Sequence, residues 1–156
     1  KQNYYYHGRE WPYKDVRPRI IAEKYMEDKE KPDSSLDVYK IFCFSGEPVI
    51  VQTIQNDKTK EETIDYFDVN WNVLTLKQNF PNSEVPLARP EQLSKMLDIA
   101  NVLSQGHPFL RVDLYEISKQ IYFSELTFYS DCGMAKFDPQ EWDRKLGEWI
   151  KLPQQV

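Results

Sequence analysis

Glycine, cysteine and histidine are scarce in this sequence, and each shortage excludes a class of site. The five glycines stand apart from one another, so the chain contains no glycine-rich loop of the kind that cradles phosphate. Two cysteines and two histidines make no metal-binding spacing, no catalytic triad and no disulfide framework. No apolar run approaches the roughly 20 residues that span a bilayer, and no signal peptide is visible. We therefore expect a cytoplasmic protein without a membrane span.

Positive charge is also in short supply. The 20 Lys and Arg residues face 25 Asp and Glu residues, which leaves a net charge of −5. Because nucleic acids and anionic membranes attract a basic surface, this balance argues against both as partners. Material for a core is present, since 40% of the residues are hydrophobic and 14% are aromatic. The length of 156 residues suits a single domain, 1–156.

Hydrophobic patterning predicts an α+β fold, with a mainly antiparallel sheet and two principal helices. Residues 39–44 and 49–55 are β-prone runs separated by the hairpin signal Ser45-Gly46-Glu47-Pro48, and residues 19–26 and 63–69 are further strand candidates. One helix is predicted after Pro90, with an apolar face of Leu93, Met96, Leu97, Ala100 and Leu103. A capping box over residues 138–141 predicts the other, with an apolar side of Trp142, Leu146, Trp149 and Ile150.

Two runs before the second helix alternate with period two, as half-buried strands do: residues 109–115 and 121–128. If a five-residue loop joins them, Tyr115 faces Ile121. One face then receives the apolar side chains Leu110, Val112, Leu114, Tyr122, Leu126 and Phe128. Apart from Tyr122, we expect these residues to be buried beneath the two predicted helices. The opposite face receives Arg111, Asp113, Glu125 and Thr127. A slip of one residue would mix the two sets and bury charge, so the pattern favours this register.

The polar face of this predicted hairpin carries the chemistry. Arg111 lies opposite Glu125, and Asp113 lies diagonal to Glu125 at roughly 7–8 Å. Two carboxylates converging at that distance can share a hard cation such as Mg²⁺, with the phosphate oxygens of a nucleotide completing its coordination. Arg111 would hold a transferring phosphoryl group beside them. A surface ion pair between Arg111 and Glu125, with Asp113 as a bystander, is the alternative that the pattern leaves open.

Several longer segments, in the same order along the chain, resemble the TupA-like ATP-grasp family. They are NYYYHGREWPYK (3–14), IIAEKYMED (20–28), YKIFCFSGEP (39–48), RVDLY (111–115), ELTFY (125–129) and FDPQEWDRKLG (137–147). The order of an R-x-D strand, a short hairpin and an E-x-N/T strand is similar to the metal-binding signature of ATP-grasp enzymes. The resemblance covers nearly the whole chain. The family is associated with teichuronopeptide-type and capsular polysaccharide loci, and its members are often labelled glycosyltransferases.

The resemblance implies an ATP- and Mg²⁺-dependent ligase-type enzyme. ATP-grasp folds hold ATP between two lobes, and residues 21–26 match the strand that joins the lobes and contacts adenine. The implied cofactor-binding residues are Glu23, Lys24, Tyr25, Met26 and Glu30, the last at the ribose. The implied metal ligands are Asp113, Glu125 and Thr127. The implied catalytic residues are Arg111 and Lys40, and Lys58 is a further candidate for a phosphate or substrate contact.

Two positions depart from the family pattern. Thr127 stands where many ATP-grasp enzymes have a metal-binding Asn, which puts a second metal ion in doubt. Val38 stands where an acid is common, and Asp37 is one place earlier, on the other face of a strand. The phosphate-gripping lobe of the family precedes this segment, and the sequence begins with Lys1 rather than Met. We therefore expect a C-terminal nucleotide- and metal-binding half, whose partners include the rest of its own chain upstream.

Three activities remain open at this point. In the first, ATP phosphorylates a carboxylate-containing acceptor and an amine displaces the phosphate. The second is a glycosyltransferase that uses a nucleotide sugar and a sugar-containing acceptor, although the sequence has no D-x-D triplet. The third is a carbohydrate-binding module without catalysis, which would use Tyr4, Tyr5, Tyr6 and Trp11 as a stacking platform.

Overall fold

The computed structural model of the protein describes residues 3, 5–28 and 36–152. Five antiparallel strands form one sheet in the order β3-β2-β1-β4-β5. The strands are β1 (Val38–Phe44), β2 (Glu47–Gln55), β3 (Thr63–Asp68), β4 (Phe109–Ile117) and β5 (Gln120–Thr127). The helices are α1 (Tyr5–Gly8), α2 (Leu93–Ser104) and α3 (Glu141–Trp149). The α+β class, the mainly antiparallel sheet and the two principal helices predicted from the sequence are confirmed.

The two long helices pack against opposite faces of the sheet. Leu93, Met96 and Ala100 of α2 lie in one core cluster, together with Ile41 and the β4 residues Leu110, Val112 and Leu114. Trp142 and Leu146 of α3 lie in a second cluster with Phe42, Phe44 and Tyr66. The prediction that both helices cover the apolar face of β4 is therefore wrong, because successive strand residues point to opposite faces and each face needs its own cover. Within the described residues, no helix is long and apolar enough to cross a membrane.

The β1–β2 hairpin predicted from Ser45-Gly46-Glu47-Pro48 is confirmed, with Ser45 and Gly46 as its two turn residues. Both have positive φ, 53° and 88°, as the two-residue turns of twisted hairpins require. A side chain at position 46 would also collide with Gln105, whose Nε2 lies 2.7 Å from the place of a Cβ. Glycine is thus favoured here by its conformation, and a larger residue would also have to displace the end of the Gln105 side chain.

The predicted register of the β4–β5 hairpin is wrong along its length: Arg111 lies opposite Thr127, and Asp113, predicted to be diagonal to Glu125, lies directly opposite it. Instead of a five-residue loop, Ser118 and Lys119 form a two-residue turn in the left-handed region, with φ of 49° and 63°. Tyr115 consequently lies opposite Tyr122, and Tyr122 leaves the apolar set to which the sequence assigned it. A bulge between Asp113 and Leu114 inserts one extra residue and restores the predicted faces further along the strands.

Other expectations at element ends are also corrected. Leu126 on the edge strand β5 is only partly buried against the α2 cluster, and Phe128, just after β5, is 40% exposed. Helix α3 begins at Glu141 with Gln140 as its N-cap and no side-chain cap hydrogen bond, so the predicted capping box is absent. Leu103 and Ile150, predicted on apolar faces, are 38% and 40% exposed at the ends of their helices.

Residues 19–26, predicted as a strand, have no regular secondary structure and belong to no strand of the sheet. Ile20 and Ile21 are each 80% exposed and Tyr25 is 83% exposed. A run of β-prone residues becomes a strand only where a neighbouring strand accepts its hydrogen bonds, and in the described part of the chain this run has no such neighbour. The prediction of a strand is therefore wrong, and the role of these residues as an adenine contact stays a prediction.

Candidate active site

One polar side chain from each strand lies in a single row across the sheet. The strand register places Gln52 opposite both Lys40 and Tyr66. Lys40 in turn lies opposite Asp113, and Asp113 lies opposite Glu125. We call this set, Tyr66, Gln52, Lys40, Asp113 and Glu125, the polar row. It lies on the α3 side of the sheet, since Tyr66 packs in the α3 cluster and Lys40 is two residues from Phe42.

Arg111 joins the two carboxylates of the polar row. Its Nε and Nη2 donate to the two oxygens of Asp113, each at 2.8 Å, in a bidentate pair. The same Nη2 donates to Glu125 Oε1 at 3.0 Å. Planar, charge-assisted pairs of this kind fix orientation as well as charge. The guanidinium therefore occupies the space between the two carboxylates that the sequence analysis assigned to a metal ion.

Thr127 and Ser130 complete the shell around Arg111. Thr127 Oγ1 accepts from Arg111 Nη2 at 3.0 Å and donates to Glu125 Oε1 at 2.9 Å. Ser130 Oγ accepts from Arg111 Nη1 at 3.0 Å. Because its oxygen already contacts Arg111 and Glu125, Thr127 orients these side chains here. The role of Thr127 as a metal ligand stays a prediction.

Burial distinguishes this cluster from a surface ion pair. Arg111 is 7% exposed and Asp113 is 2% exposed. Burial raises the pKa of the Asp113 carboxyl, while its hydrogen bonds and attraction to Arg111 and the charge of Lys40 oppose the rise. Lys40 Nζ lies 3.7 Å from Asp113 Oδ2. Two cations and two carboxylates thus balance each other, which is the condition for holding buried charges in place.

The structure places three residues at this site that the sequence analysis missed: Gln52, Tyr66 and Ser130. Gln52 Nε2 donates to Tyr66 Oη, which donates to Gln78 Oε1, both at 3.2 Å. Burial, and then the charge of Asp131, raise the pKa of Tyr66, whereas Arg111 lowers it, so the phenol stays a neutral donor. A signal for Gln52 exists in the sequence, because it interrupts the apolar alternation between Ile50 and Ile54.

Not every predicted site residue comes to this cluster. Glu23, Lys24 and Tyr25 are exposed on the irregular segment of residues 19–26, and Met26 is partly buried there. Glu30 lies outside the described residues. Lys58 is in the turn between β2 and β3 with a side chain that is 88% exposed and 3.6 Å from Asp57. The cluster brings together Lys40, Arg111, Asp113, Glu125 and Thr127.

The donor set can be compared with what a magnesium ion requires. Mg²⁺ takes oxygen ligands, usually one or two carboxylates, with waters and substrate phosphates completing the shell. Asp113 and Glu125 supply two carboxylates side by side. Among the described residues no group of three or more His, Cys, Asp and Glu side chains could hold a metal ion. Two carboxylates are the protein share that such a cation needs, but Arg111 lies between them here, so the metal-ligand roles of Asp113 and Glu125 stay a prediction.

The fold and the site together define the class of this protein. It is an α+β domain with a balanced cluster of cations and carboxylates on one face of its sheet. The family model of the TupA-like ATPgrasp proteins matches residues 1–151, so the chain belongs to the TupA-like ATPgrasp family. Membership indicates a function related to that of ATP-grasp proteins, with a ligase-like enzyme and nucleotide binding as its general features. No curated protein and no solved structure matches the chain.

Proposed function

We propose that this chain provides the metal- and phosphate-binding face of an ATP-dependent carboxylate–amine ligase that acts in bacterial surface-polysaccharide biosynthesis. The observation that carries the proposal is the polar row, in which Lys40, Asp113 and Glu125 lie opposite one another on three adjacent strands. Charges of both signs at such short range suit a ligand that itself combines phosphate anions with a divalent cation.

Each side chain of the cluster has a role in this proposal. Asp113 and Glu125 would hold Mg²⁺, which when bound would neutralise the phosphates of ATP and the charge that develops on them. Each carboxylate oxygen accepts more than one hydrogen bond or ligand, so Asp113 can keep Arg111 while it contacts the cation. Lys40 of the polar row and Arg111 beside it, which both lie close to Asp113, would face the transferring phosphoryl group. Thr127 keeps the Glu125 carboxylate oriented.

The irregular segment of residues 19–26 is the proposed adenine contact. Its backbone N–H and C=O groups belong to no sheet ladder in the described residues, so they are free of strand pairing and can contact the edge of a purine base. Glu23, Lys24, Tyr25 and Met26 stay as the proposed cofactor-binding residues, with Glu30 beside them at the ribose. The exposed Tyr25 ring offers a flat apolar surface of the kind on which a base stacks.

The proposed reaction has two steps. A carboxylate oxygen of the acceptor attacks the γ-phosphorus of ATP, the bond to the β-phosphate oxygen breaks, and ADP leaves an acyl phosphate behind. An amine then attacks the acyl carbon, loses a proton and displaces inorganic phosphate. Positioning and charge neutralisation supply most of the catalysis in such a scheme, because the residues at hand include no nucleophile that must be activated.

The test measures ADP and phosphate release by the protein as expressed from its natural gene, with carboxylate acceptors and an amine present. Glu125→Gln should reduce turnover about 10²-fold or more, because a metal-bound carboxylate is lost at the phosphates. Glu125 is 59% exposed, so this change tests chemistry with little effect on folding. Glu148→Gln is the matched control, an acid 61% exposed and paired with Arg144, and it should leave turnover unchanged.

Asp113→Asn should abolish turnover as well, but its side chain is buried and paired with Arg111, so the fold of this variant must be checked by circular dichroism. Full activity in both Glu125→Gln and Asp113→Asn would reduce the cluster to a structural ion network. Release of UDP from a UDP-sugar, without consumption of ATP, would instead support the glycosyltransferase.

A further inference from the structure

A cavity of about 470 Å³ lies on the α3 side of the sheet, next to the polar row but outside it. Its walls come from β1, β4, the chain after β5, and α3. The residues that matter below are Phe42, Phe44, Phe109, Phe128, Ser130 and Gly147. A pocket of this volume is in the size range that binds small molecules, roughly 300–1,000 Å³. It is too small to receive a helix or a strand of another protein.

Aromatic rings form much of the wall, and the acidic Asp143 of α3 also lines it. The rings of Phe44 and Phe109 lie 5.3 Å apart, and Phe44 also meets the Trp149 ring at 5.3 Å. The His107 ring packs edge-on against Phe128 at 5.5 Å. An apolar wall of this kind favours a ring or a short aliphatic chain. It disfavours a sugar, because hydroxyl groups placed against it would lose their hydrogen bonds to water without replacement.

The cavity reaches the polar cluster through three residues. Ser130 lines the cavity and accepts a hydrogen bond from Arg111 Nη1 at 3.0 Å. Phe42, another lining residue, lies opposite Arg111 in the β1–β4 register. Phe128 directly follows Thr127, which lies opposite Arg111 on the other side. A ligand in the cavity would therefore have its apolar part among the phenylalanines and its near end beside Ser130, which is hydrogen-bonded to Arg111.

We propose that this cavity binds the apolar part of the acceptor, a carboxylic acid that carries an aromatic ring or a short acyl chain. The inference rests on the proposed function and narrows its substrate class. The carboxylate points toward Ser130 and Arg111, where the phosphoryl group of ATP would arrive, and the ring or chain fills the space between Phe44, Phe109 and α3. A purely hydrophilic sugar acid does not fit this division of charged and apolar surface.

Gly147 offers a way to fill the cavity without disturbing the fold. It lines the cavity from helix α3, and a Cβ added there meets no atom within 4 Å. Gly147→Leu places a side chain in open space, whereas Gly147→Ala makes the same gain in helix propensity with little added volume. The alanine variant is therefore the matched control for the leucine variant.

Binding is measured without ATP, by isothermal calorimetry and by NMR shifts of the aromatic side chains, on the protein at its natural length. The probes are phenylacetate and hexanoate, with glucuronate as the hydrophilic acid. Phenylacetate and hexanoate should bind, Gly147→Leu should weaken them by about tenfold or more, and Gly147→Ala should stay within about twofold. In the ligase assay the leucine variant should raise the KM for an apolar acid and leave the KM for ATP unchanged.

Glucuronate binding as tightly as phenylacetate, or apolar acids binding equally well to Gly147→Leu, would overturn the inference. These results are separate from the test of the ligase reaction, because they need no turnover. Apolar acids that bind at the cavity without any consumption of ATP would leave the subsite standing and contradict the ligase. ATP turnover that prefers glucuronate would support the ligase and contradict the apolar subsite.

Discussion

Asp113 and Asp65 are two carboxylates buried in the same sheet, on opposite faces, with very different surroundings. Asp113 is 2% exposed and has the bidentate Arg111 and the nearby Lys40 as partners. Asp65 is 0% exposed and accepts a hydrogen bond at Oδ1 from the backbone N–H of Ser83, at 3.0 Å. Its Oδ2 has no hydrogen-bond partner among the described residues. Asp65 lies opposite Thr53, whose buried Oγ1 also lacks a partner there.

The difference shows what a buried acid needs in order to stay charged. Burial raises the pKa of both carboxyls, because a charged group loses its hydration inside protein. Around Asp113 two cations oppose that rise, whereas around Asp65 only uncharged hydrogen-bond donors do, Ser83 and Gln55. The surroundings of Asp113 thus favour its charged form. Asp65 is a charge that the fold tolerates, and the following predictions test that contrast.

The largest expected effect follows from removing the partner of Asp113. Arg111→Met keeps the apolar length of the side chain but leaves a buried carboxylate without its main counter-ion, which costs about 3–5 kcal/mol in the free energy of unfolding. Urea denaturation measures it. Arg144→Met is the control, since Arg144 is 81% exposed and its ion pair with Glu148 should contribute less than about 1 kcal/mol. A loss for Arg111→Met as small as that of the control would mean that Asp113 does not depend on its cation.

A smaller effect, with the opposite sign, is expected at Asp65. Asp65→Asn keeps an oxygen for the Ser83 N–H and removes the buried charge, so at neutral pH it should stabilise the fold by about 1–2 kcal/mol. Asp98→Asn, an exposed change on α2, should stay within about 0.5 kcal/mol. If Asp65→Asn is destabilised at neutral pH, Asp65 is paired with a cation and its charge stabilises the fold.

The pH dependence of the stability of Asp65→Asn tests the direction of this effect a second time. The pKa of Asp65 is raised above the ordinary value of 3.8, so the unfolded chain loses this proton before the folded chain does. The contribution of Asp65 to stability is therefore complete below pH 3.8 and declines as the pH rises through the folded-state pKa. The advantage of Asp65→Asn over the wild type should grow as the pH rises through that window. Denaturation curves across the window measure it.

The smallest effect is expected at the neighbour of Asp65. Thr53→Val replaces a buried hydroxyl that has no described partner by a methyl group of similar size, and it should stabilise the fold by about 1 kcal/mol. Ser104→Ala is the comparison, because Ser104 is equally buried but its hydroxyl donates to Asn101 O at 3.2 Å, and that variant should lose stability. If Thr53→Val also loses stability, a buried water joins Thr53 to Asp65.

Much of this fold is predictable because local pattern and tertiary pairing agree. The β1–β2 hairpin follows from a glycine turn between two β-prone runs, and the positive φ of Gly46 favours glycine there. Residues 19–26 show the limit, because they have the composition of a strand but no strand beside them. The β4–β5 turn shows another limit, since Ser118-Lys119 is not a familiar turn sequence and still adopts two left-handed residues.

The sequence by itself determined the α+β class, the strands and long helices, and the shared polar face of Arg111, Asp113, Glu125 and Thr127. These follow from alternation and helical spacing, which are local properties of the chain. Tertiary structure alone decided that Lys40, Gln52 and Tyr66 lie in line with those residues, since the order of strands in a sheet is not written in any one strand. It also decided that Arg111 and Asp113 are buried, because α3 and the chain after β5 cover their face of the sheet.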